Sequence, residues 1–228
     1  MLRIFLNGYG VLVDTDGGAF SIDSTKLNYS GVSKKNTEYF IMVGNAEDIM
    51  ISATDITGKA PMFPKWATGF TNTEWGISES ELNTIVDTYR SKRIPIDNYC
   101  LDFDWKAWGQ NNYGEFTWNP TKFPGAASMT LKSVMDAKGI KLSGIQKPRI
   151  HTGTVQASDV TNGGWWLPGS SAYTDYSSQL EVKNVDFSKA GLRAWWWSHM
   201  QPAFDKGLQG YWNDEVDVNF PNLDGLYM

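Results

Sequence analysis

The sequence is poor in the residues that most often announce a chemistry. Its 228 residues hold one cysteine, Cys100, and two histidines, His151 and His199. A single cysteine excludes an internal disulfide and leaves the redox compartment open. It lies in the apolar run "NYCLDF" and reads as a small buried hydrophobe. Two isolated histidines are too few for a His-based metal site, and neither accompanies the G-x-S-x-G elbow of a serine hydrolase. No apolar run reaches the length of a membrane span, and the opening "MLRIFLNGYG" lacks the h-region of a signal peptide. Positive charge is scarce as well: 20 Lys and Arg against 25 Asp and Glu leave −5, which argues against a nucleic-acid partner.

Aromatic side chains are abundant instead. Eleven Trp, ten Tyr and eleven Phe make up 14% of the chain, and several of the Trp fall in expected loops. Flat apolar platforms suit sugars, which present flat apolar faces of their own. A large aromatic core accounts for the same composition equally well.

The length suits one large domain, or one and a half smaller ones. Residues 1 to about 52 read as short strands separated by turns: "GYGVLVDT" alternates, "DTDGGAFSID" holds a Gly-Gly turn, and "EYFIMVG" is a further apolar run. From about Ala60 the pattern changes. "WATGF" (66–70) reads as a short strand, and "SESELNTIVDTYRSKR" as an amphipathic helix opened by a Ser78/Glu81 capping box. "IDNYCLDF" (96–103) is the next strand, a helix near 126–138 ends at Gly139, and "IKLSGI" (140–145) is a third strand. A helix from about Ser188 to Lys206 stops at Gly207, and the strand "LQGYW" follows. Strand–helix alternation of this kind predicts an α/β fold with parallel βαβ units, and about four are visible. The segments 103–125 and 146–187 both follow strand ends and read as long βα loops, the elements that build the catalytic face of a (β/α)₈ barrel. A doubly wound sheet is the alternative, but "GFTNTEWG" is not a nucleotide loop.

Carboxylates gather at two strand ends. In "GYWNDEVD", period-2 alternation sets Trp212 and Asp214 on one side and turns Glu215 to the other, with Asp217 in the loop. From periodicity alone Asp214 is the candidate nucleophile, and Glu215 and Asp217 read as solvated. In "LDFDW", Asp102 and Asp104 share a side; Asp104 suits either a pocket or a brace for the loop. Trp105 and Trp108 form either a sugar platform or the packing of that loop. His151, after a strand end, is a candidate pocket residue, whereas His199 sits on the Trp-rich helix and reads as packing. Trp195, Trp196 and Trp197 cannot all face one way on a helix, so at least one is expected to be exposed. Asp186 reads as a cap for the helix that follows.

At "PKWATGF", "IPIDNYCLDFDW", "GEFTWNPTKFP", "AKGIKLSGIQKP", "VDFSKAGLRAWWW" and "GLQGYWNDEVD" the chain resembles glycoside hydrolase family 31, which includes retaining α-glucosidases, α-xylosidases and α-transglucosylases. The resemblance implies a partial (β/α)₈ TIM barrel, about the first four β/α units over residues 56–228, preceded by the last strands of an N-terminal β-sandwich over 1–55. Family members are much longer, so the resemblance also implies a fragment whose partner is the remaining half of the barrel. It makes Asp214 the nucleophile that forms a covalent glycosyl-enzyme. It makes Asp102 an acceptor for hydroxyls of the terminal sugar, and it implies a glycoside or oligosaccharide substrate and no cofactor. It assigns the general acid to a later barrel loop. Two departures stand out. "NDEVD" differs from the family after the nucleophile, and Lys147 in "IQKPR" replaces a usual acid. Lys147 therefore either reads substituents of the sugar, an α-N-acetylgalactosaminide among them, or pairs with a pocket carboxylate. A non-catalytic, sugar-binding half-barrel is the alternative from another functional class.

Overall fold

The computed structural model describes residues 2–14, 19–22, 26–30 and 38–215. The chain divides into two units, Met1–Met62 and Phe63–Met228.

In the first unit β1 (Leu2–Phe5), β2 (Tyr9–Asp14) and β5 (Glu38–Val43) form an antiparallel sheet in the order β1-β2-β5, and β3 (Ala19–Ile22) pairs with β4 (Leu27–Ser30) in a separate hairpin. The chain then forms α1 (Ala46–Thr57), which corrects the reading of residues 1 to about 52 as strands throughout. The helical signal is local. Asn45 accepts from the Asp48 N–H at 3.0 Å while Asp48 accepts from the Asn45 N–H at 3.1 Å, a reciprocal capping box. Ile49 and Ala53, four residues apart, bury one stripe against Leu12 and Met42. Gly10 is required for this contact, since a Cβ there would lie 2.5 Å from the Ile49 side chain.

In the second unit β6 (Thr71–Glu74), α2 (Glu79–Ser91), β7 (Asn98–Leu101), α3 (Thr130–Ala137) and β8 (Lys141–Gln146) follow in turn. An excursion comes next, comprising β9 (Arg149–His151), α4 (Val155–Gly163), β10 (Tyr173–Thr174) and β11 (Glu181–Asn184), and then α5 (Ala190–Asp205) and β12 (Leu208–Asn213). The sheet order is β12-β8-β7-β6 with every pair parallel, the neighbour order of successive barrel strands. These described strands form an open array, not a closed barrel. The expected α/β partial barrel, preceded by β strands, is what the chain forms.

The α2 capping box is present as the sequence predicts: Ser78 N–H donates to Glu81 Oε2 at 2.8 Å. Leu82 and Val86 from α2, Leu131 and Met135 from α3, and Leu192 and Trp196 from α5 pack against Tyr99, Leu101, Leu142 and Leu208 on one face of the sheet. Burying such side chains contributes roughly 1.5–3 kcal/mol each. Two expectations are corrected. "WATGF" is not a strand: Lys65–Thr68 form a 3-10 turn, and the strand is the polar run Thr71–Glu74. An apolar pattern fails there because Thr71 and Thr73 line a cleft on the face opposite the helices. The segment 146–187 is not a plain loop either, since it folds an antiparallel sheet in the order β10-β11-β9 around α4. Its strands are two to four residues long, too short to show periodicity.

Candidate active site

Strand alternation sorts the sheet residues. Tyr99 and Leu101 on β7 and Leu142 on β8 enter the helix-covered core. Cys100 and Ser143 turn the other way and, with Thr71, Thr73, Tyr211 and Trp212, line a cleft of about 310 Å³. Asn98 Nδ2 donates to Ser143 Oγ at 2.8 Å and to Thr71 Oγ1 at 3.3 Å, tying three strands together beneath that cleft. On the helix side Trp196 Nε1 donates to Gln146 Oε1 at 3.1 Å, and Gln146 Nε2 bonds Asn213 Oδ1. The Asp214 N–H then donates to the Gln146 carbonyl at 2.9 Å. These contacts fix the ends of β8 and β12 side by side, so that the residues just past them, Lys147 and Asp214, meet.

The meeting is an ion-pair network. Lys147 Nζ bonds Asp214 Oδ2 and lies 3.2 Å from Glu215 Oε2, and Arg149 Nη2 forms an ion pair with that same Glu215 oxygen. Both cationic side chains are 1% exposed, while Asp214 and Glu215 are 28% and 27% exposed. Lys147 also sits 5.9 Å above the Phe103 ring. Asp102, at the end of β7, accepts from the Phe103 N–H at 2.7 Å. Burial raises its pKa, helped by the negative charges of Asp104 and Asp214 and opposed by that N–H and by Lys147. Asp102, Lys147 and Asp214 therefore interact electrostatically at the C-terminal ends of three adjacent parallel strands. Trp212, 38% exposed, shares the cleft face.

Glu215 is not the solvated bystander that alternation suggests. Its φ of +57° turns the chain out of the extended conformation, so its side chain joins Asp214 at the two cations. Asp217 lies outside the described residues. Trp105 is no sugar platform: it is fully buried, donates from Nε1 to the Ile145 carbonyl at 3.0 Å, and fits only because residue 144 is glycine. Trp108 is the exposed one of that pair. Asp104 takes the bracing role, since one oxygen bonds Lys122 Nζ and the other the Gly76 N–H. Each of its oxygens thus already holds a partner within the fold. His151 does not line the carboxylate cluster either. It is buried and stacked on Tyr113, accepts the Tyr113 N–H on Nδ1 at 2.8 Å, and has Nε2 2.9 Å from Ser178 Oγ. Burial pushes its pKa down to about 4, so the ring is neutral and Nε2–H donates to Ser178.

Sequence reasoning missed Arg149, Glu215 and Asp175. Arg149 joins the two halves of a network: its Nε lies 3.2 Å from Asp175 Oδ1 and its Nη1 donates to Tyr173 Oη at 2.5 Å. Its position two residues after Lys147 was a usable signal, because extended backbone sets such residues on one face. Asp186 is not the cap of α5: it accepts from the Ser188 N–H at 3.0 Å in the turn ahead of the helix, which starts at Ala190 after Lys189 with no side-chain cap. Trp196 is buried and Trp197 exposed, in line with the reading of the Trp triplet, and His199 packs on Trp195. Cys100 is buried. Among the described residues no group of three or more His, Cys, Asp and Glu side chains is placed to hold a metal ion.

The chain is 49% identical over 221 residues to a 1,6-alpha-glucosyltransferase of Sporosarcina globispora, covering 90% of this chain and 17% of that protein. It is 27% identical over 210 residues to an alpha-xylosidase of Saccharolobus solfataricus, covering 91% of this chain and 26% of that protein. The chain thus spans about a sixth to a quarter of the length of these relatives. Its fold matches a Flavobacterium johnsoniae GH31 dextranase complexed with glucose, with a TM-score of 0.76 and 24% identity over 96% of this chain and 27% of that one. Residues 60–225 match the model of the glycosyl hydrolases family 31 TIM-barrel domain, and the chain belongs to that family.

Proposed function

We propose that Asp214 is the nucleophile of a retaining α-glycoside-processing site, and that Asp102 accepts hydrogen bonds from hydroxyls of the sugar it holds. The observation that carries this reading is the convergence of Asp102, Lys147 and Asp214 at three adjacent strand ends, with Asp214 still partly open to solvent. Active sites of (β/α)₈ proteins lie at this end of the sheet.

In the proposed reaction an Asp214 oxygen bonds the anomeric carbon as the glycosidic C–O bond breaks. The leaving oxygen takes a proton from a second carboxyl group, which the family resemblance assigns to a barrel loop after β12. An acceptor hydroxyl then attacks the anomeric carbon from the opposite face, giving its proton to that same second carboxylate as the bond to Asp214 breaks, with net retention. The ammonium of Lys147 orients the carboxylate and supplies its counter-charge in both the attacking and the departing step. This is the pairing alternative for Lys147, in place of direct contact with the sugar. The name of the Sporosarcina relative favours an α-glucosyl group as the transferred sugar, with another sugar as acceptor, and hydrolysis is the same chemistry with water in its place. An α-xyloside is the nearest other donor, given the Saccharolobus relative.

The test is to trap the intermediate. A fluorinated α-glucosyl fluoride that forms but does not readily turn over the glycosyl-enzyme is incubated with the whole protein, which is then digested and mapped by mass spectrometry. The expected label is an ester on Asp214. A label on any other residue overturns the assignment.

A further inference from the structure

The excursion carries a second cleft, of about 360 Å³, on the opposite side of its small sheet from Arg149 and His151. Lys183 on β11 pairs with Ile150 on β9, and both belong to the side that α4 covers. The local sequence "NGGWW" explains how the cleft gains an aromatic wall. A Cβ on Gly163 would meet the Trp165 ring at 2.3 Å, and one on Gly191 would meet it at 3.0 Å, so Trp165 is wedged between the end of α4 and the start of α5. Gly164, at φ +64°, ends the helix and lets the chain reverse. Trp166 consequently faces the cleft. Its indole is held in place by Nε1 donating to Thr161 Oγ1 at 3.0 Å, and Lys183 Nζ lies 5.4 Å from its ring centre.

Around that ring the side chains of Ser158, Asn162 and Lys183 line the cleft without a hydrogen bond or ion pair to any described residue. A hydroxyl and a carboxamide are thus free, and an ammonium is engaged only with the Trp166 ring, beside an aromatic surface fixed by its own hydrogen bond. The Coulomb and packing interactions that occupy Asp214, Lys147 and Arg149 involve none of these groups.

We propose that this cleft is a second carbohydrate site, which holds one neutral pyranose residue of an oligosaccharide against Trp166. The lining selects the class. A pyranose offers an apolar C–H face to the ring and a rim of hydroxyls that both donate and accept, matching Ser158 and Asn162. A lipid would need an apolar lining. A strongly anionic ligand would need more positive charge than the one ammonium of Lys183. Such a site would hold a chain outside the reaction centre, and it does not depend on which residue is the nucleophile.

The test is a titration of the 228-residue chain with isomaltose and isomaltotriose, followed by 1H–15N correlation spectra. The expected result is saturable movement of the Trp166 indole N–H signal and of the amide signals of Asn162 and Lys183. Asn162→Ala, at an exposed position, is expected to weaken binding by about fivefold, ~1 kcal/mol, and Trp166→Ala to abolish it. If Trp166→Ala loses spectral dispersion, Asn162→Ala and Lys183→Met carry the result. Unchanged affinity in both of these overturns the proposal. So does movement confined to Trp212 and Asp102, or movement produced equally by inorganic phosphate. Saturation at Trp166 together with a trapped ester away from Asp214 would overturn the nucleophile assignment and leave this site standing.

Discussion

Arg149 stands between two carboxylate sites, Asp175 on one side and Glu215 with its neighbour Asp214 on the other, that differ in what surrounds them. On one side Asp175 is sealed: besides Arg149 it accepts from Tyr113 Oη at 2.9 Å, from the N–H groups of Ser177 and Ser178 at 3.0 and 2.8 Å, and from Ser178 Oγ at 3.0 Å. Burial alone would raise its pKa, but the Ser178 and Tyr113 hydrogen bonds and the Arg149 guanidinium hold it below the usual carboxylate value. On the other side Asp214 and Glu215 keep more than a quarter of their surface in solvent and take their partners from buried cations at one edge. A buried carboxylate with one oxygen held by four fixed donors and the other facing a buried guanidinium stabilises the fold. One held from a single side keeps an oxygen available to attack.

Exchanging the two acids for amides puts the comparison to its hardest test. Asp214→Asn is expected to cut turnover in the whole protein by at least about 10⁴-fold while moving the thermal midpoint little, because Glu215, 3.2 Å from the buried Lys147, remains as its counter-charge. Asp175→Asn is expected to do the reverse. It removes one partner of a buried pair, a loss of about 3–5 kcal/mol, measured as a lower denaturation midpoint of the chain. If Asp175→Asn left stability unchanged, or Asp214→Asn unfolded the chain, the division between a structural and a chemical acid would be wrong.

This division was only half legible in the sequence, for reasons that residues make plain. The strand ends were readable because period-2 alternation holds along them: Trp212 lines the cleft face that alternation assigns it, and Asp102 and Asp214, just past their strand ends, come close enough to interact. The α2 start was readable because a capping box is a local interaction between residues three apart. Glu215 was not readable, since a single left-handed φ reverses what alternation implies. The sequence leaves Trp105 open between platform and packing and makes His151 a pocket candidate, because an aromatic or imidazole near a strand end looks the same whether its ring faces a ligand or the core. What decides it is a partner far away in sequence, the Ile145 carbonyl for one and Ser178 for the other. The excursion was read as loop because its ladder joins residues about thirty apart through very short strands.

A smaller effect separates activity from stability at one residue. Asp102 has a raised folded pKa, so its ionised form is disfavoured by folding. The stability tied to its protonated form is fully present below the unfolded value near 3.8 and is lost as pH rises through the folded one. Asp102→Asn is therefore expected to raise the thermal midpoint at neutral pH and to leave it nearly unchanged in strong acid. The same substitution is expected to lower kcat/KM by about 10²-fold, and equally for substrates with good and poor leaving groups, since the proposed role of Asp102 is to hold sugar hydroxyls. A loss confined to poor leaving groups would instead make Asp102 the proton donor.

The smallest effect belongs to the sealed side. His151 is neutral in the fold because burial holds its pKa near 4 against an ordinary 6.5. A histidine with a depressed folded pKa contributes stability that is fully present above 6.5, since neither state then binds a proton. That contribution falls as pH drops from 6.5 towards 4, where the unfolded chain takes up the proton and the folded chain does not. The thermal midpoint should accordingly decline across this window. In His151→Asn the amide oxygen can still accept from the Tyr113 N–H, as Nδ1 does now, while nothing titrates at that position. The variant is therefore expected to be slightly less stable at neutral pH and to show a flatter decline between pH 6.5 and 4, followed by calorimetry at closely spaced pH values. An unchanged slope would mean that the acid sensitivity comes from the carboxylates, and that the contrast between the sealed and open sides of Arg149 does not extend to this ring.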